Sequence, residues 1–325
     1  MRLKQVLLVL AALSGLAVFT NAAEPAHELP APVTTAAQET AGAAAEGQGE
    51  HHGLPSAAVP VFHIGAFPVT NSMLVTWIVA IGIIIFAQVA MRKMQAVPSG
   101  LQNFWEWLVE SLYEFLESII GRDVAKRTFW FFTTIFIFIL FTNWFGLLPG
   151  VGTIGWGVET AHGFQLTAPL FRGGNADLNM TAAMAVIFML LWFVWSLREA
   201  GVKGFFLHIF GPKGDNTGFI KYMMIVVFFA VGFLEVISIA FRPVSLSFRL
   251  YGNIFAGENL LEALANTVQH PAWAKAVFSA LLPVPFYFLE LLVGLVQAFV
   301  FMLLTTVFTA LMCTHEEEHE KEEHH

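Results

Sequence analysis

The chain has 325 residues, of which 57% are hydrophobic and 12% are charged, and its formal net charge is −8. A soluble domain averages about 25% charged residues, so this composition argues against a water-soluble globular protein and indicates a chain that lies mostly in lipid. No stretch concentrates Lys and Arg as a nucleic-acid-binding protein requires, and the single cysteine, Cys313, excludes an intramolecular disulfide.

The first 22 residues have the pattern of a secretory signal peptide. Arg2 and Lys4 precede an apolar stretch of 14 residues, Val6 to Phe19, and the small residues of Thr20-Asn21-Ala22 follow it. The stretch is shorter than the ~20 apolar residues of a transmembrane helix, so a cleaved signal is the first interpretation and an uncleaved N-terminal anchor the second. Residues 23–62 are rich in Ala, Pro and Glu without apolar periodicity, which predicts a disordered tether on the outer side of the membrane.

Uncharged runs predict the first three membrane-crossing helices. These are Asn71 to Met91, Thr128 to Leu148 and Leu178 to Leu197. Lys and Arg flank successive runs on alternate sides, so the positive-inside rule places the N-terminus outside.

Leu101 to Ile120 is predicted to form an amphipathic helix rather than a membrane span. Its apolar side chains recur at intervals of three and four residues. The opposite face carries Glu106, Glu110, Glu114 and Glu117. Acidic side chains bind anionic lipid poorly, so we expect this helix to lie along the cytoplasmic surface and to pack on protein.

Two longer apolar segments follow, Tyr222 to Gln269 and Ala274 to Thr314. Both exceed the length of a perpendicular span, which predicts a tilted, partly horizontal antiparallel hairpin that breaks near Pro271. The predicted fold is therefore an all-α polytopic membrane protein with about five membrane-embedded helices and one amphipathic surface helix. Its membrane domain is expected over residues 63–314, followed by an acidic, His-rich cytoplasmic tail at 315–325.

One face of the first long segment carries polar side chains in an apolar setting. At about 100° per residue, this face contains Glu235, Ser238, Arg242, Ser245, Arg249 and Asn253. An Arg at the centre of a bilayer costs at least ~2.5 kcal/mol, so the face is expected to meet a water-filled cavity or a polar partner. For Arg242, which is nearer the cytoplasmic end, snorkelling to the interface or a purely structural pairing is an equal alternative.

The second long segment carries Glu290 and Gln297 on one face. Residues at equal depth in an antiparallel hairpin have a constant sum of residue numbers, and the pairs Arg249–Gln297 and Glu258–Glu290 agree to within two residues. This register places Arg249 opposite the amide of Gln297. It also brings the carboxyls of Glu258 and Glu290 together at a depth about 14 Å from Arg249 along the helix. Two close carboxyls in a low dielectric cannot both ionise at low cost, so the pair is expected to exchange protons as a unit. The alternative is a pair of hydrogen-bonded structural acids.

These residues carry a family resemblance. RPVSLSFRLYGNIFAGE, Arg242 to Glu258, followed by LVQAFVFMLLTTVF, Leu295 to Phe308, resembles the a subunit of the F-type ATP synthase membrane sector. TNWFGLLPG, ADLNMT and GFLEVIS agree in order and spacing, and the likeness covers roughly residues 70 to 314.

The resemblance implies a stator subunit of the bacterial inner membrane with its C-terminus in the cytoplasm. Such a subunit has no catalytic site or cofactor of its own; it provides two aqueous half-channels that couple proton flow to rotation of a c-subunit ring and to ATP synthesis. The implied partners are the c-ring, the b-subunit peripheral stalk, the rest of the complex and the lipid bilayer, and nucleic acid is not among them.

The resemblance also implies a role for each matching residue. Arg249 matches the essential arginine that faces the carboxylate of each passing c subunit, with Asn253 and Gln297 as its polar neighbours. Glu258 and Glu290 match the pair that lines the outer half-channel, although many bacterial relatives have a histidine at one of these positions. The cytoplasmic path is matched by Glu235, Ser238 and Ser245, and the outer mouth by Asp177 and Asn179.

A secondary transporter or channel with its own substrate site is the main alternative, and a scaffold without a transport role is another. A transporter is expected to show an inverted repeat or paired Gly- or Pro-broken helices, and the sequence shows neither. A membrane-embedded enzyme needs a nucleophile with a base or a metal triad, whereas the last two segments offer Arg, Glu, Asn and Gln. The sequence leaves open H⁺ or Na⁺ as the coupling ion, the ring size and the direction of running.

Overall fold

A computed structural model describes residues 58–64, 67–160, 163–210, 219–265, 267, 277–279 and 281–313. The predicted signal peptide, most of the predicted tether, Pro271 and the C-terminal tail lie outside these residues.

Six long helices dominate the described residues. In chain order they are α1 (Asn71–Ala90), α2 (Leu101–Ile120), α3 (Arg122–Gly146), α4 (Leu178–Phe210), α5 (Phe219–Ala265) and α6 (Val284–Cys313). Five helical segments of the described chain are long and apolar enough to cross a membrane, namely Asn71–Ala90, Arg122–Gly146, Leu178–Arg198, Val227–Ala265 and Val277–Leu311. The prediction of an all-α polytopic membrane protein is confirmed.

Helix α3 lies at the centre of the core and packs against α1, α2 and α6. Its aromatic residues Phe131, Phe132 and Phe138 are fully buried. Phe131 and Phe132 also contact Trp195 of α4, with ring centroids 5.8 Å apart in both cases. The charged first turn of α3, from Arg122, escaped the prediction because a search for uncharged runs does not detect charged helical residues.

The amphipathic helix α2 has the predicted bounds and packs on protein, as its acidic face indicates. Leu112, Leu116 and Ile120 of its apolar face are buried. The ring of Phe115 lies 4.9 Å from that of Phe299 on α6. This helix therefore ties the hairpin of long helices to the rest of the core.

Helix α4 changes direction at Gly201, whose φ of 64° and ψ of 167° lie outside the helical region. A positive φ costs glycine little, so the chain can turn there without strain. The Phe205 ring lies 6.4 Å from Trp192 and 5.6 Å from Phe193. Because those two residues precede the turn by more than two helical turns, the part of α4 after Gly201 folds back along the part before it.

Helix α5 has 47 residues and is therefore ~70 Å long, more than twice the ~30 Å thickness of the hydrocarbon core. A helix of this length cannot run perpendicular to the membrane within it, which agrees with the predicted tilt. Pro243 lies inside the helix. A prolyl residue removes one backbone donor, so this point is the weakest in the helical hydrogen-bond ladder.

Two short antiparallel β-hairpins were not predicted. They consist of β1 (Pro60–Ile64) with β2 (Phe67–Thr70), and of β3 (Gly155–Thr160) with β4 (Gly163–Pro169). Asn71 links them, because its Oδ1 accepts from Val59 N at 3.2 Å and its Nδ2 donates to Pro169 O at 2.9 Å. Strand β1 begins inside the stretch predicted as tether, since backbone pairing requires no apolar periodicity.

Leu116→Ala tests the packing of α2. Leu116 is 0% exposed, and removing a fully buried Leu side chain costs about 2–5 kcal/mol, so we expect a clearly lower thermal unfolding midpoint of the detergent-purified protein. Leu190→Ala is the matched control, because Leu190 is 60% exposed on α4. Equal midpoints for the two variants would contradict the packing of α2 on protein.

Candidate functional site

A cleft of about 410 Å³ lies between α5 and α6. Asn253 and Gly257 line it from α5, and Glu290 and Gln297 line it from α6. The Glu290 carboxyl packs directly on Gly257, where any β-carbon would overlap it. This contact lies within one residue of the predicted register, so the predicted antiparallel hairpin is present and brings Asn253, Glu290 and Gln297 together.

Arg249 is exposed one helical turn before Asn253. Phe248, the residue before it, is 56% exposed, and Phe241, about two turns earlier on α5, is 63% exposed, whereas Leu250 is buried. Among the described residues, no carboxylate forms an ion pair with Arg249. The guanidinium therefore stands on an apolar outer face of the protein, with its charge not offset by the described part of the chain.

The predicted polar stripe of α5 is largely uncovered. Ser238, Ser245 and Asn253 are exposed like Arg249, and Glu235 is half-buried. Within the described residues, the chain's own helices therefore leave most of this stripe open to a partner or to water.

Arg242 differs from the rest of the stripe, because aromatic rings hold it. Its Cζ lies 4.4 Å from the centre of the Phe308 ring and 5.6 Å from that of Trp192. Trp192 Nε1 in turn donates to the carbonyl oxygen of Phe308 at 3.1 Å. Of the alternatives for Arg242, the geometry favours structural pairing, with rings of α4 and α6 as the partners; Glu235 adds an electrostatic attraction.

Glu258 lies on the side of α5 away from Arg249, against the connection before α4. A β-carbon at position 173 would lie 2.5 Å from its Oε1, and one at Gly146 would lie 3.9 Å from it. Glu258 lies near enough to Arg172 and to Glu290 for both charges to act on its carboxylate. Sequence reasoning assigned no role to Arg172, although it is the single Lys or Arg between Gly150 and Asp177, which was the available signal.

Two carboxylate oxygens of the acidic pair are buried. Oε2 of Glu258 and Oε1 of Glu290 have no hydrogen-bond partner among the described residues. A buried polar atom without a partner costs free energy, so these oxygens are the acceptors in the site that are available to a proton.

Buried asparagine side chains link the segment that precedes α4 to α6. Asn175 Nδ2 donates to Asn143 Oδ1 at 2.7 Å, and Asn143 Nδ2 donates to the carbonyl oxygen of Gly294 at 2.9 Å. Gly294 lies between Glu290 and Gln297 on α6, so these bonds fix the depth of both side chains. Sequence reasoning missed the two asparagines, whose signal was an amide in otherwise apolar surroundings.

Asp177 is buried at the start of α4. Its Oδ2 accepts from Ser72 Oγ at 2.5 Å, and its Oδ1 accepts from Asn179 N at 3.0 Å. The second bond is an N-cap, a structural role that the sequence analysis did not predict. Asn179 is half-buried in the same turn, so the two residues do lie together, on the side of the fold that also holds the N-terminus of α1.

Within the part of the chain that the structure describes, no group of three or more His, Cys, Asp or Glu side chains is placed to hold a metal ion. The chemistry that the site offers is therefore that of one arginine exposed in apolar surroundings, two interacting carboxyls and several amides.

Comparisons with known proteins agree on one family. The model of the family described as ATP synthase A chain matches residues 73–310, a range that contains every site residue named above except Ser72. The chain is 31% identical to the ATP synthase subunit a of Moorella thermoacetica over 252 residues, which are 78% of this chain and 94% of that protein. It is 30% identical to the ATP synthase subunit a of Helicobacter hepaticus over 244 residues, 75% of this chain and 90% of that protein. A protein of Propionigenium modestum named ATP synthase subunit a, sodium ion specific, is 28% identical over 261 residues, 79% of this chain and 78% of that protein.

Arg242→Gln tests the aromatic clamp. Each cation–π contact contributes about 0.5–2 kcal/mol, so loss of both should lower the thermal unfolding midpoint of the detergent-purified protein. Arg92→Gln serves as the control, because Arg92 is exposed just beyond α1. An unchanged midpoint for the Arg242 variant would mean that the rings do not hold this guanidinium.

Proposed function

Because this chain belongs to the ATP synthase A chain family, we propose that it is the proton-translocating stator subunit of an F-type ATP synthase. In this proposal it provides two aqueous half-channels, and Arg249 couples proton flow through them to rotation of a c-subunit ring and to ATP synthesis. Its other partners are the b-subunit peripheral stalk and the rest of the complex. It lies in the bacterial inner membrane with the N-terminus outside and the C-terminus in the cytoplasm.

The position of Arg249 is the observation that carries the proposal. A guanidinium cannot lose its proton in a protein, and a charge in hydrocarbon is costly unless it meets an opposite charge or water. Arg249 stands exposed among exposed apolar side chains, without an ion-pair partner in the described chain. A carboxylate on a neighbouring membrane subunit would offset this charge.

The mechanism follows from the two charge states of a rotor carboxyl. A c-subunit carboxyl enters lipid only when it is neutral, so it must bind a proton before its part of the ring leaves the stator. Arg249 attracts the ionised form, which favours release of the proton into one half-channel. Its fixed charge also bars a proton from passing directly between the half-channels. Each charge that crosses 100 mV yields ~2.3 kcal/mol, so torque accumulates over several protons.

The outer half-channel is proposed to lead from Asp177 and Asn179 to Glu258 and Glu290. The buried, unpartnered oxygens of the two glutamates support this path, because they can accept protons without breaking a hydrogen bond to the described chain. Glu290 also lines the cleft that contains Asn253 and Gln297. A proton that leaves Glu290 toward Arg249 therefore first meets the side-chain amides of Asn253 and Gln297.

The cytoplasmic half-channel is proposed to follow the other end of the polar stripe. Glu235, Ser238 and Ser245 lie on the same face of α5 as Arg249, and the two serines are exposed. All three precede Arg249 along α5, whereas Glu258 follows it, so Arg249 separates them from Glu258 and Glu290. Arg249 thus divides two sets of polar residues, as a barrier between two half-channels must.

Arg249→Ala should abolish ATP synthesis driven by a proton gradient in vesicles that contain the assembled complex. Arg249→Lys should fail as well, because an ammonium in apolar surroundings, unlike a guanidinium, can lose its proton. Arg92→Ala is the control and should retain synthesis. Fully coupled synthesis by an intact Arg249→Ala complex would refute the proposed function.

Glu290→Gln keeps the size and the contact with Gly257 but removes a proton-exchanging group. Loss of a group that transfers protons typically costs 10²–10⁴-fold, so we expect gradient-driven ATP synthesis to fall by about a hundredfold. Glu117→Gln is the matched control, since Glu117 pairs with Arg122 at the surface of the described fold. A Glu290→Gln complex that keeps the control rate would show that Glu290 is not part of the proton path.

A further inference from the structure

A second arginine, Arg172, lies inside the protein. Its side chain is 2% exposed and is among the largest of the fully buried side chains in the described residues. It stands in the connection between β4 and a short 3₁₀ turn at Gly174–Ala176. Its guanidinium stays charged when buried, and a buried charge is tolerated when an opposite charge lies close to it.

Two observations direct this guanidinium to Glu258. Arg172 directly precedes Gly173, and the backbone of Gly173 packs on Oε1 of Glu258. Cζ of Arg172 also lies 5.9 Å from the centre of the Phe255 ring, three residues before Glu258 on α5. The guanidinium therefore lies against the turn of α5 that carries the carboxylate.

The residue after Arg172 shapes the same site. Because a β-carbon at position 173 would lie 2.5 Å from Oε1 of Glu258, the carboxylate occupies space that exists only when residue 173 is glycine. Arg172 thus supplies a positive charge near the Glu258 carboxylate, and Gly173 supplies the space that this carboxylate occupies. The segment that contains Arg172 and Gly173 is fixed to the core, since Asn175, two residues after Gly173, donates to Asn143 of α3.

We propose that Arg172 is a positioning residue of the outer proton path. It holds the Glu258 carboxylate against Gly173 and sets how readily that carboxylate exchanges protons with Glu290. Its task differs from that of Arg249, because Arg172 is buried and faces an acid of its own chain, whereas Arg249 is exposed toward a neighbour. The inference rests on the proposed function, since Glu258 exchanges protons only if the chain conducts them.

Four variants test this inference in the complete complex in inverted membrane vesicles: Arg172→Gln, Arg172→Lys, Glu258→Gln and the double variant Arg172→Gln/Glu258→Gln. The measurements are the rate of ATP-driven vesicle acidification and the thermal unfolding midpoint of the chain. A neighbouring charge changes the proton affinity of a carboxyl by about tenfold or more, so Arg172→Gln should slow acidification by about tenfold. Arg172→Lys keeps the charge and should recover part of the rate, which a purely structural role for the guanidinium does not predict.

The double variant tests whether the two side chains act on each other. Arg172→Gln leaves the Glu258 charge buried without its cation and should lower the midpoint, whereas the double variant, with both charges removed, should recover it. If Arg172→Gln does not accumulate in the membrane, accumulation of the double variant supports the pairing. The pairing is overturned if neither variant accumulates. It is also overturned if the double variant lowers the midpoint by the sum of the losses in the two single variants.

Arg122→Gln is the matched control, because the Arg122 side chain is 72% exposed and pairs with Glu117 at 3.8 Å. An Arg172→Gln complex that acidifies vesicles at the control rate also overturns the inference. That result would leave the proposed function intact, because Arg249→Ala tests the function separately. Coupled synthesis by an Arg249→Ala complex would instead remove the proposed function, whatever the Arg172 variants do.

Discussion

The permanent charge of a guanidinium in an apolar environment is the constraint on which this structure depends. Three arginines of the described chain meet it in three ways. Arg172 is buried near the Glu258 carboxylate, and Arg242 lies over the rings of Trp192 and Phe308. Arg249 has neither kind of partner among the described residues and stands on an exposed apolar face. Two of these charges thus lie close to groups of the fold that attract a cation, whereas the third has no such group among the described residues.

The carboxylates are held apart from Arg249 by the geometry of α5. Glu258 points to the opposite side of the helix, where Gly173 gives it space, and Glu290 reaches α5 from α6 at Gly257. The acids therefore interact with each other and with Arg172 without neutralising Arg249. Under the proposed function, this separation lets the acids pass protons while Arg249 attracts a rotor carboxylate.

Several side chains far apart in sequence fix this arrangement. Asn143 holds α6 through the carbonyl oxygen of Gly294, and Trp144 Nε1 donates to the carbonyl oxygen of Leu291 one turn away. Near the middle of α5, the Arg242 clamp ties the long helix to α4 and α6. The helical hairpin is thus held by contacts on both sides of Arg249. Arg249 itself forms no ion pair within the described chain.

The sequence by itself determined the family, the membrane-crossing segments, the bounds of α2 and the face of α5 that carries Arg249. These features follow from residue type and periodicity, which record the side of a helix and the solvent that it meets. The predicted register, which set Glu258 opposite Glu290, lies one residue from the observed contact between Gly257 and Glu290. The tertiary structure alone decided the two β-hairpins, the fold-back of α4 at Gly201, the cap at Asp177 and the partners of Arg172 and Arg242. The hairpins, the fold-back and the cap are formed by residues close in sequence, through turn and cap geometry that a search for apolar periodicity does not detect. The partners of Arg172 and Arg242 depend on contacts between distant segments, and helical periodicity within one segment carries no information about which residue of another segment will lie against it.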